Sequence, residues 1–514
     1  MIESIKIQNL RSISDSEDIV LKPIMILLGA NSSGKSSFLR SFPLFTQSVD
    51  KNLRGPISWF DSSFVDYGDY KTAKNKYAPD EEGISFGYQI RNFQPIIRRH
   101  FHYDYVDGKE FGIYYVQFTL KGDSKGTYVS DIHIKTAHVD FDLKVKGRNE
   151  NIEFFIDGKL VDISEKFRFN FNTGFAILPS IIKNANDSES ASTTIARKII
   201  GIFRKHCDKR LQNTSRLESI LMGGSFVKEE FLARVKYAGG IKSFQKSVKN
   251  WNTSTYEFGI IYQLYLIMKL NSFLEAINAE LATFYHQCDY IAPMRAEAGR
   301  YYRIQGLQVQ SVDPSGHNLL EFVASLTPKE KANYDKFIHD ILGITVDVPS
   351  ESGMKSLRVK TENEDFSIAD VGYGYSQIIP VITKLWHTAY ENSNNTNWGR
   401  FRFREVEKST ILMEQPELHL HPAMQAKVAD TFIKVVEQTR EGNECATLIV
   451  ETHSQAIVNR LGRRIREGAI HPDDINVLLF EKDKKFQNTI IKQISFTENG
   501  QLKDWPYGFF DPQD

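Results

Sequence analysis

An apolar strand, Ile24-Met25-Ile26-Leu27-Leu28, runs directly into Gly29-Ala30-Asn31-Ser32-Ser33-Gly34-Lys35-Ser36 and then a helix. The spacing G-x-x-x-x-G-K-[ST], placed between a strand and a helix, predicts an α/β fold built around a phosphate-binding loop. Two glycines let the loop wrap backbone N–H groups around phosphate oxygens, and the helix adds its N-terminal dipole. Gly29, Asn31, Ser32, Ser33, Gly34, Lys35, Ser36 and Ser37 form the expected binding set. Lys35 is expected at the β- and γ-phosphates, and the Ser36 hydroxyl on Mg²⁺. A chance glycine- and serine-rich turn would have the same composition, but it would have no second nucleotide motif downstream.

With 514 residues the chain is too long for one ordinary core. Lys+Arg and Asp+Glu both number 64, so any nucleic-acid site must be a local patch rather than a global charge effect. No run of eighteen apolar residues occurs, and the chain opens on an alternating strand, Ile2-Glu3-Ser4-Ile5-Lys6-Ile7. Neither a signal peptide nor a membrane span is therefore expected. Cys207, Cys288 and Cys445 are isolated, which suits neither a zinc site nor a disulfide framework and fits a reducing cytoplasm.

Three parts are expected. Residues 1–190 hold the phosphate loop and an antiparallel subdomain. Its strands, Phe111–Leu120, Tyr128–Thr136, Val139–Val145 and Ile152–Ile156, are rich in β-branched and aromatic residues and separated by turn signals. Polar residues 183–193 read as a linker. Residues 191–289 are helical, with Ile260, Leu264, Ile267, Leu270, Leu274, Ile277 and Leu281 on one stripe that packs inside the monomer or against a second copy. Lys198, Arg204, Lys205, Lys209, Arg210, Lys242, Lys246 and Lys249 make either a solvated face or a DNA-facing patch. From residue 290 to 514 the α/β character returns.

The strand Ser409-Thr410-Ile411-Leu412-Met413 ends in Glu414-Gln415-Pro416-Glu417. An apolar strand ending in a carboxylate is how a Walker B element sets an acid beside the Mg²⁺ of a phosphate loop. Glu414 takes that place, since a hard cation accepts Glu as well as Asp. A further strand, Ala446-Thr447-Leu448-Ile449-Val450, ends in Glu451-Thr452-His453-Ser454. His453 then stands where open α/β sheets bind ligands and can reach a γ-phosphate or the attacking water. Asp370-Val371-Gly372-Tyr373-Gly374-Tyr375-Ser376-Gln377 opens another helix and forms an anion-binding nest. His419 and His421 could chelate a metal but lack an acid or cysteine cluster; subunit contact is the simpler reading.

This order of motifs resembles the ABC-type ATPases of the RecF and SMC group, and more closely the overcoming-lysogenization-defect class. The opening Asn9-Leu10-Arg11-Ser12, the phrase Glu414–Pro422 with its trailing His-Leu-His-Pro, and Tyr290-Ile291-Ala292-Pro293-Met294-Arg295 all resemble family segments. The ending Trp505-Pro506-Tyr507-Gly508-Phe509-Phe510-Asp511 resembles the Septu-type ATPases of bacterial antiphage systems, including retron-associated forms. Residues 83–287 carry little of the likeness.

The resemblance implies an ABC/SMC-like ATPase head: a mixed sheet around the phosphate loop, an antiparallel β subdomain and a helical insertion. It implies ATP and Mg²⁺ as ligands, Arg11 as a nucleotide contact, and a head-to-tail dimer. In that dimer Gly374 and Ser376 of one protomer close over the γ-phosphate held by Lys35 of the other. It further implies an HNH-type nuclease supplied in trans, with a retron reverse transcriptase and its DNA–RNA product as further partners. Short of residues after His453, the chain is not expected to carry a Toprim nuclease in cis. Family members that hydrolyse ATP briskly have a second carboxylate directly after the Mg²⁺-site acid, where this chain has Gln415. Losing general-base catalysis there costs about 10²–10⁴-fold, so slow turnover is expected unless Glu417 compensates or Gln415 orients water. The alternative is a RecF/SMC-like DNA-binding ATPase in repair.

Overall fold

The computed structural model describes the chain apart from residues 50, 52, 54, 63, 92–112, 172–176, 185–188, 211–212, 223–225, 238–239, 294–301, 304–308, 310, 352–353, 371–372, 395–408, 442–445, 484–487, 504 and 506–514. Met294, Arg295, Val371, Gly372, Cys445 and the closing residues 506–511, all used in the sequence reading, lie outside the described residues. Two compact units form, each from three stretches of chain.

The first unit comprises residues 1–19, 44–61 and 66–286. Its sheet is antiparallel, with spatial order 159–160, 153–156, 140–144, 126–135, 113–123, 84–91, 2–10 and 13–15. The turn-separated strands expected from the sequence are present with ends shifted by at most three residues; Phe111 falls outside the described residues. Within 183–193, expected as a linker, Ser190 caps the helix Ala191–Lys205, its hydroxyl accepting from Ser192 N at 3.2 Å.

Helix Tyr256–His286 is buried nearly all round, although Ile260 remains 37% exposed. It is long and apolar enough to cross a membrane by composition, yet 78% of its apolar window is buried inside the protein. It is a core helix. The amides of Asn271 and Asn278, two turns apart, each exchange two hydrogen bonds with backbone, at Ile181 (2.6 and 2.8 Å) and at Leu178 (2.7 and 2.8 Å). Buried backbone polar groups need such partners. The aliphatic pattern thus sets the burial, and two amides set the register.

The second unit comprises residues 20–43, 62–65 and 287–514. Its sheet runs Thr489–Ile494, Ile475–Lys482, Ile24–Gly29, Thr447–Glu451, Thr410–Glu414, Cys288–Ile291. The last five are mutually parallel, and Thr489–Ile494 forms an antiparallel edge hairpin with Ile475–Lys482. A parallel sheet is covered on both faces, which explains the unbroken apolar runs. Ile24, Ile26, Ile411, Met413, Leu448 and Val450 pack under helices Tyr373–Asn394, Pro422–Glu441 and Gln455–Arg466. Phe38, on the helix after the phosphate loop, meets Phe480 with ring centroids 5.9 Å apart. This is the mixed sheet around a phosphate loop that the sequence predicts.

Candidate nucleotide site

Parallel pairing places the ends of three strands side by side. Glu414 is in register with Glu451, and Glu451 with Leu27, two residues before the loop begins at Gly29. A β-carbon on Gly29 would stand 2.5 Å from the Phe480 carbonyl oxygen and 2.6 Å from Ser33 Oγ, so only glycine fits. Ser32 (φ 60°) and Gly34 (φ 106°) take left-handed backbone, which turns the loop's N–H groups inward.

Lys35 is 3% exposed and donates to the carbonyls of Gly29 (3.0 Å) and Ala30 (2.9 Å), 3.9 Å from Glu451. Burial lowers its pKa, and the charges of Glu451 and Glu417 pull it back up. The Ser36 hydroxyl donates to Glu451 Oε1 at 2.9 Å. Ser33 is buried, while Asn31 and Ser32 are exposed and Ser37 is half-buried.

Glu414, the Walker B acid of the sequence reading, is 2% exposed and accepts from Arg40 Nε and Nη2, each at 2.7 Å, and from the Tyr290 hydroxyl at 2.7 Å. Ser36 therefore hydrogen-bonds Glu451 and not Glu414, the partner expected to share its Mg²⁺. Burial first, then Glu414, raises the pKa of Glu451; the Ser36 hydrogen bond and Lys35 oppose the rise. Glu451 Oε2 is buried with no hydrogen-bond partner. An orphaned carboxylate oxygen beside a hydroxyl is an all-oxygen donor set of the kind a hard cation takes, so the site fits Mg²⁺.

After Glu414 the backbone turns sharply. Gln415 (φ 44°) and His419 (φ 61°) are both left-handed. Gln415 N donates to Glu451 O at 2.8 Å, which fixes the loop against the neighbouring strand. Glu417 Oε1 accepts from His453 N at 2.7 Å. Partial burial, then the Lys35 charge, lowers the His453 pKa. Asn31, Gln415, Glu417, His419, His453 and Asn459 line one cleft of about 900 Å³. Lys35, Gln415, Glu417 and His453, remote in sequence, are thus gathered at one end of one sheet.

Other predicted residues make contacts of their own. Gly374 and Ser376 are half-buried at the start of helix Tyr373–Asn394, and a β-carbon on Gly374 would come no closer than 3.9 Å to Leu420 and 4.0 Å to His419 O. Arg11 belongs to the first unit, its guanidinium 5.2 Å from the Tyr67 ring centre. His421 Nδ1 accepts from Ala423 N at 3.3 Å, a capping role at helix Pro422–Glu441. Among the described residues no group of three or more His, Cys, Asp and Glu side chains is placed to hold a metal.

Sequence reasoning missed Arg40 and the roles of Tyr290 and Glu451. Arg40 follows Ser36 by about one helical turn, which puts both on one face. Glu451 ends an apolar strand just as Glu414 does, so the same signal was available for it.

Residues 1–458 match the family model of the AAA ATPase domain, and residues 470–514 match a model described as Protein of unknown function (DUF3696). No curated protein matches. Similar solved structures include the crystal structure of the SmcHead bound to the C-winged helix domain of ScpA, at 11% identity, and the SMC head domain from Thermotoga maritima, at 7%. Each alignment covers 96% of this chain and 98% of the other, with a TM-score of 0.33, too low to argue from. The match over residues 1–458 assigns the chain to the AAA ATPase domain family.

Proposed function

We propose that the chain binds ATP with Mg²⁺ at Gly29–Ser36, hydrolyses it slowly, and uses the bound state to control a nuclease partner in an antiviral complex. What carries the nucleotide part is the buried Lys35 ammonium, held on two carbonyls of its own loop beside Glu451. In this reading a bound Mg²⁺ would supply charge neutralisation at the triphosphate. Gly29, Asn31, Ser32, Ser33, Gly34 and Ser37 cradle the phosphates, and Lys35 moves its hydrogen bonds to the β- and γ-phosphates. Ser36 and Glu414, the Walker B acid, would hold the ion. Gln415 orients water, with Glu417 as the nearest alternative acid, and His453 contacts the γ-phosphate.

The regulatory role rests on the resemblance to Septu-type ATPases. It brings in the HNH-type nuclease in trans, the optional reverse transcriptase with its DNA–RNA product, Arg11 as a nucleotide contact and the head-to-tail dimer closed by Gly374 and Ser376. The division into 1–190, 191–289 and 290–514 rests instead on the change in residue pattern along the chain.

One observation favours the second reading, a DNA-binding ATPase. Helices Ala191–Lys205 and Lys242–Val248 are tied by His206 Nδ1 to Ser247 Oγ (2.9 Å) and Asp208 N to Ser243 Oγ (3.1 Å). That brings exposed Arg204, Lys205, Lys209 and Arg210 near exposed Lys242, Lys246 and Lys249. Lys198 instead pairs with Glu165 at 2.6 Å.

One variant tests the shared nucleotide site, and two assays separate the readings. Lys35→Ala should abolish ATP binding by calorimetry, and retained affinity would refute the site. Pull-down from the native operon should recover a nuclease with the ATPase. ATP-dependent, steeply salt-sensitive binding of plain duplex DNA with no nuclease recovered would favour the second reading.

A further inference from the structure

Given the ATP-binding reading, on which this inference rests, Glu414 is the acid of the Mg²⁺ site and something must aim it. The helix that opens with Lys35 carries Arg40 one turn past Ser36, so the two side chains share a face. Strand Cys288–Ile291 lies against Thr410–Glu414 on the side away from Thr447–Glu451, and it supplies Tyr290. Arg40, Tyr290 and Glu414 all belong to the second unit.

Glu414 and Tyr290 are both buried, so water does not supply their partners. Arg40 reaches in from a part-exposed position on the helix. Its Nε donates to Oε1 and its Nη2 to Oε2, each at 2.7 Å, and the Tyr290 hydroxyl adds a second bond to Oε1 at 2.7 Å. A guanidinium fork on both oxygens fixes the plane of a carboxylate, which a single ammonium cannot do. The phenol fixes which oxygen faces strand Cys288–Ile291. An ionised carboxylate accepts at roughly four positions, two on each oxygen. Among the described residues, Oε1 has both of its positions taken and Oε2 keeps one open. Outer partners of this kind orient the groups that hold a metal, and losing one typically costs about 10–100-fold in metal affinity.

We propose that Arg40 and Tyr290 are positioning residues for the Mg²⁺ site, holding Glu414 so that Oε2 keeps an acceptor position open to the ion.

The test uses the full-length protein and a fluorescent ATP analogue, titrated in EDTA and in MgCl₂. Tyr290→Phe removes only the hydroxyl, and Arg40→Lys keeps the charge but loses the fork. Each should cut the Mg²⁺-dependent gain in affinity by about tenfold, with binding in EDTA unchanged. Glu414→Gln should lose at least as much. Adding either substitution to it should lower the gain no further, because both act through Glu414. Melting curves check that each variant is folded; if Arg40→Lys is not, the near-isosteric Tyr290→Phe is held to the same criterion. A full gain in either folded variant, or a further loss on the Glu414→Gln background, would overturn the assignment. Failure of the underlying reading looks different: wild type would bind no analogue in either buffer, or Glu414→Gln would keep the full gain.

Discussion

Lys35 carries a charge in a place that disfavours charge. Burial lowers its pKa, and Glu451 and Glu417 restore part of the difference. A triphosphate is a far stronger partner than two carbonyls, so the loop is organised before its ligand arrives, which lowers the ordering cost of binding. Gln415 is the residue that should limit chemistry. Its left-handed backbone and its bond to Glu451 O hold it at the mouth of the cleft lined by His453 and Glu417. An amide can orient water by hydrogen bonding but cannot act as a general base. Gln415→Glu should therefore raise turnover by roughly 10²-fold, in line with general-base catalysis, measured as phosphate release. An unchanged rate would move the base to Glu417.

Helix Gln455–Arg466 shows how an element is held where it is. Ser454 caps it, accepting from Ile457 N at 3.0 Å, and Arg460 and Arg464 bind Asp430 of helix Pro422–Glu441 at 2.7–2.8 Å. Its Gly462 packs on the turn at Gly500, and a β-carbon on Gly462 would stand 2.2 Å from the Gly500 carbonyl oxygen. Alanine is favoured over glycine inside a helix by about 1 kcal/mol, but overpacking against backbone costs about 1–3 kcal/mol. The clash should win: Gly462→Ala is expected to be destabilising by about 1–2 kcal/mol in urea unfolding. Because this helix begins directly after His453, the loss should also weaken ATP binding.

For the molecule as a whole, acid sensitivity has an identifiable contributor. His387, on helix Tyr373–Asn394, is edge-on to Phe322 with ring centroids 5.0 Å apart. Burial, then the Lys384 charge, pushes its pKa down to about 4 from 6.5. Between those values the unfolded chain binds the proton and the folded one does not. The stability tied to His387 is thus complete above pH 6.5 and drains away as pH falls toward 4. His387→Phe should flatten this decline by roughly 1–2 kcal/mol between neutral pH and pH 4.5, read from denaturation midpoints across pH. A parallel curve would show that other groups set the acid limit.

Local chemistry was legible in the chain itself. The phosphate loop, the two acid-ended strands, the antiparallel run before residue 160 and the long apolar helix each follow from spacing and side-chain type, because backbone geometry imposes periods of about two or 3.6 residues. What no period encodes is which of two equivalent strand ends meets Ser36. Parallel pairing set Glu451 against the loop strand, and the helical turn from Ser36 to Arg40 gave Glu414 a cation of its own. Those partners come from segments hundreds of residues apart, so the tertiary structure alone decides them.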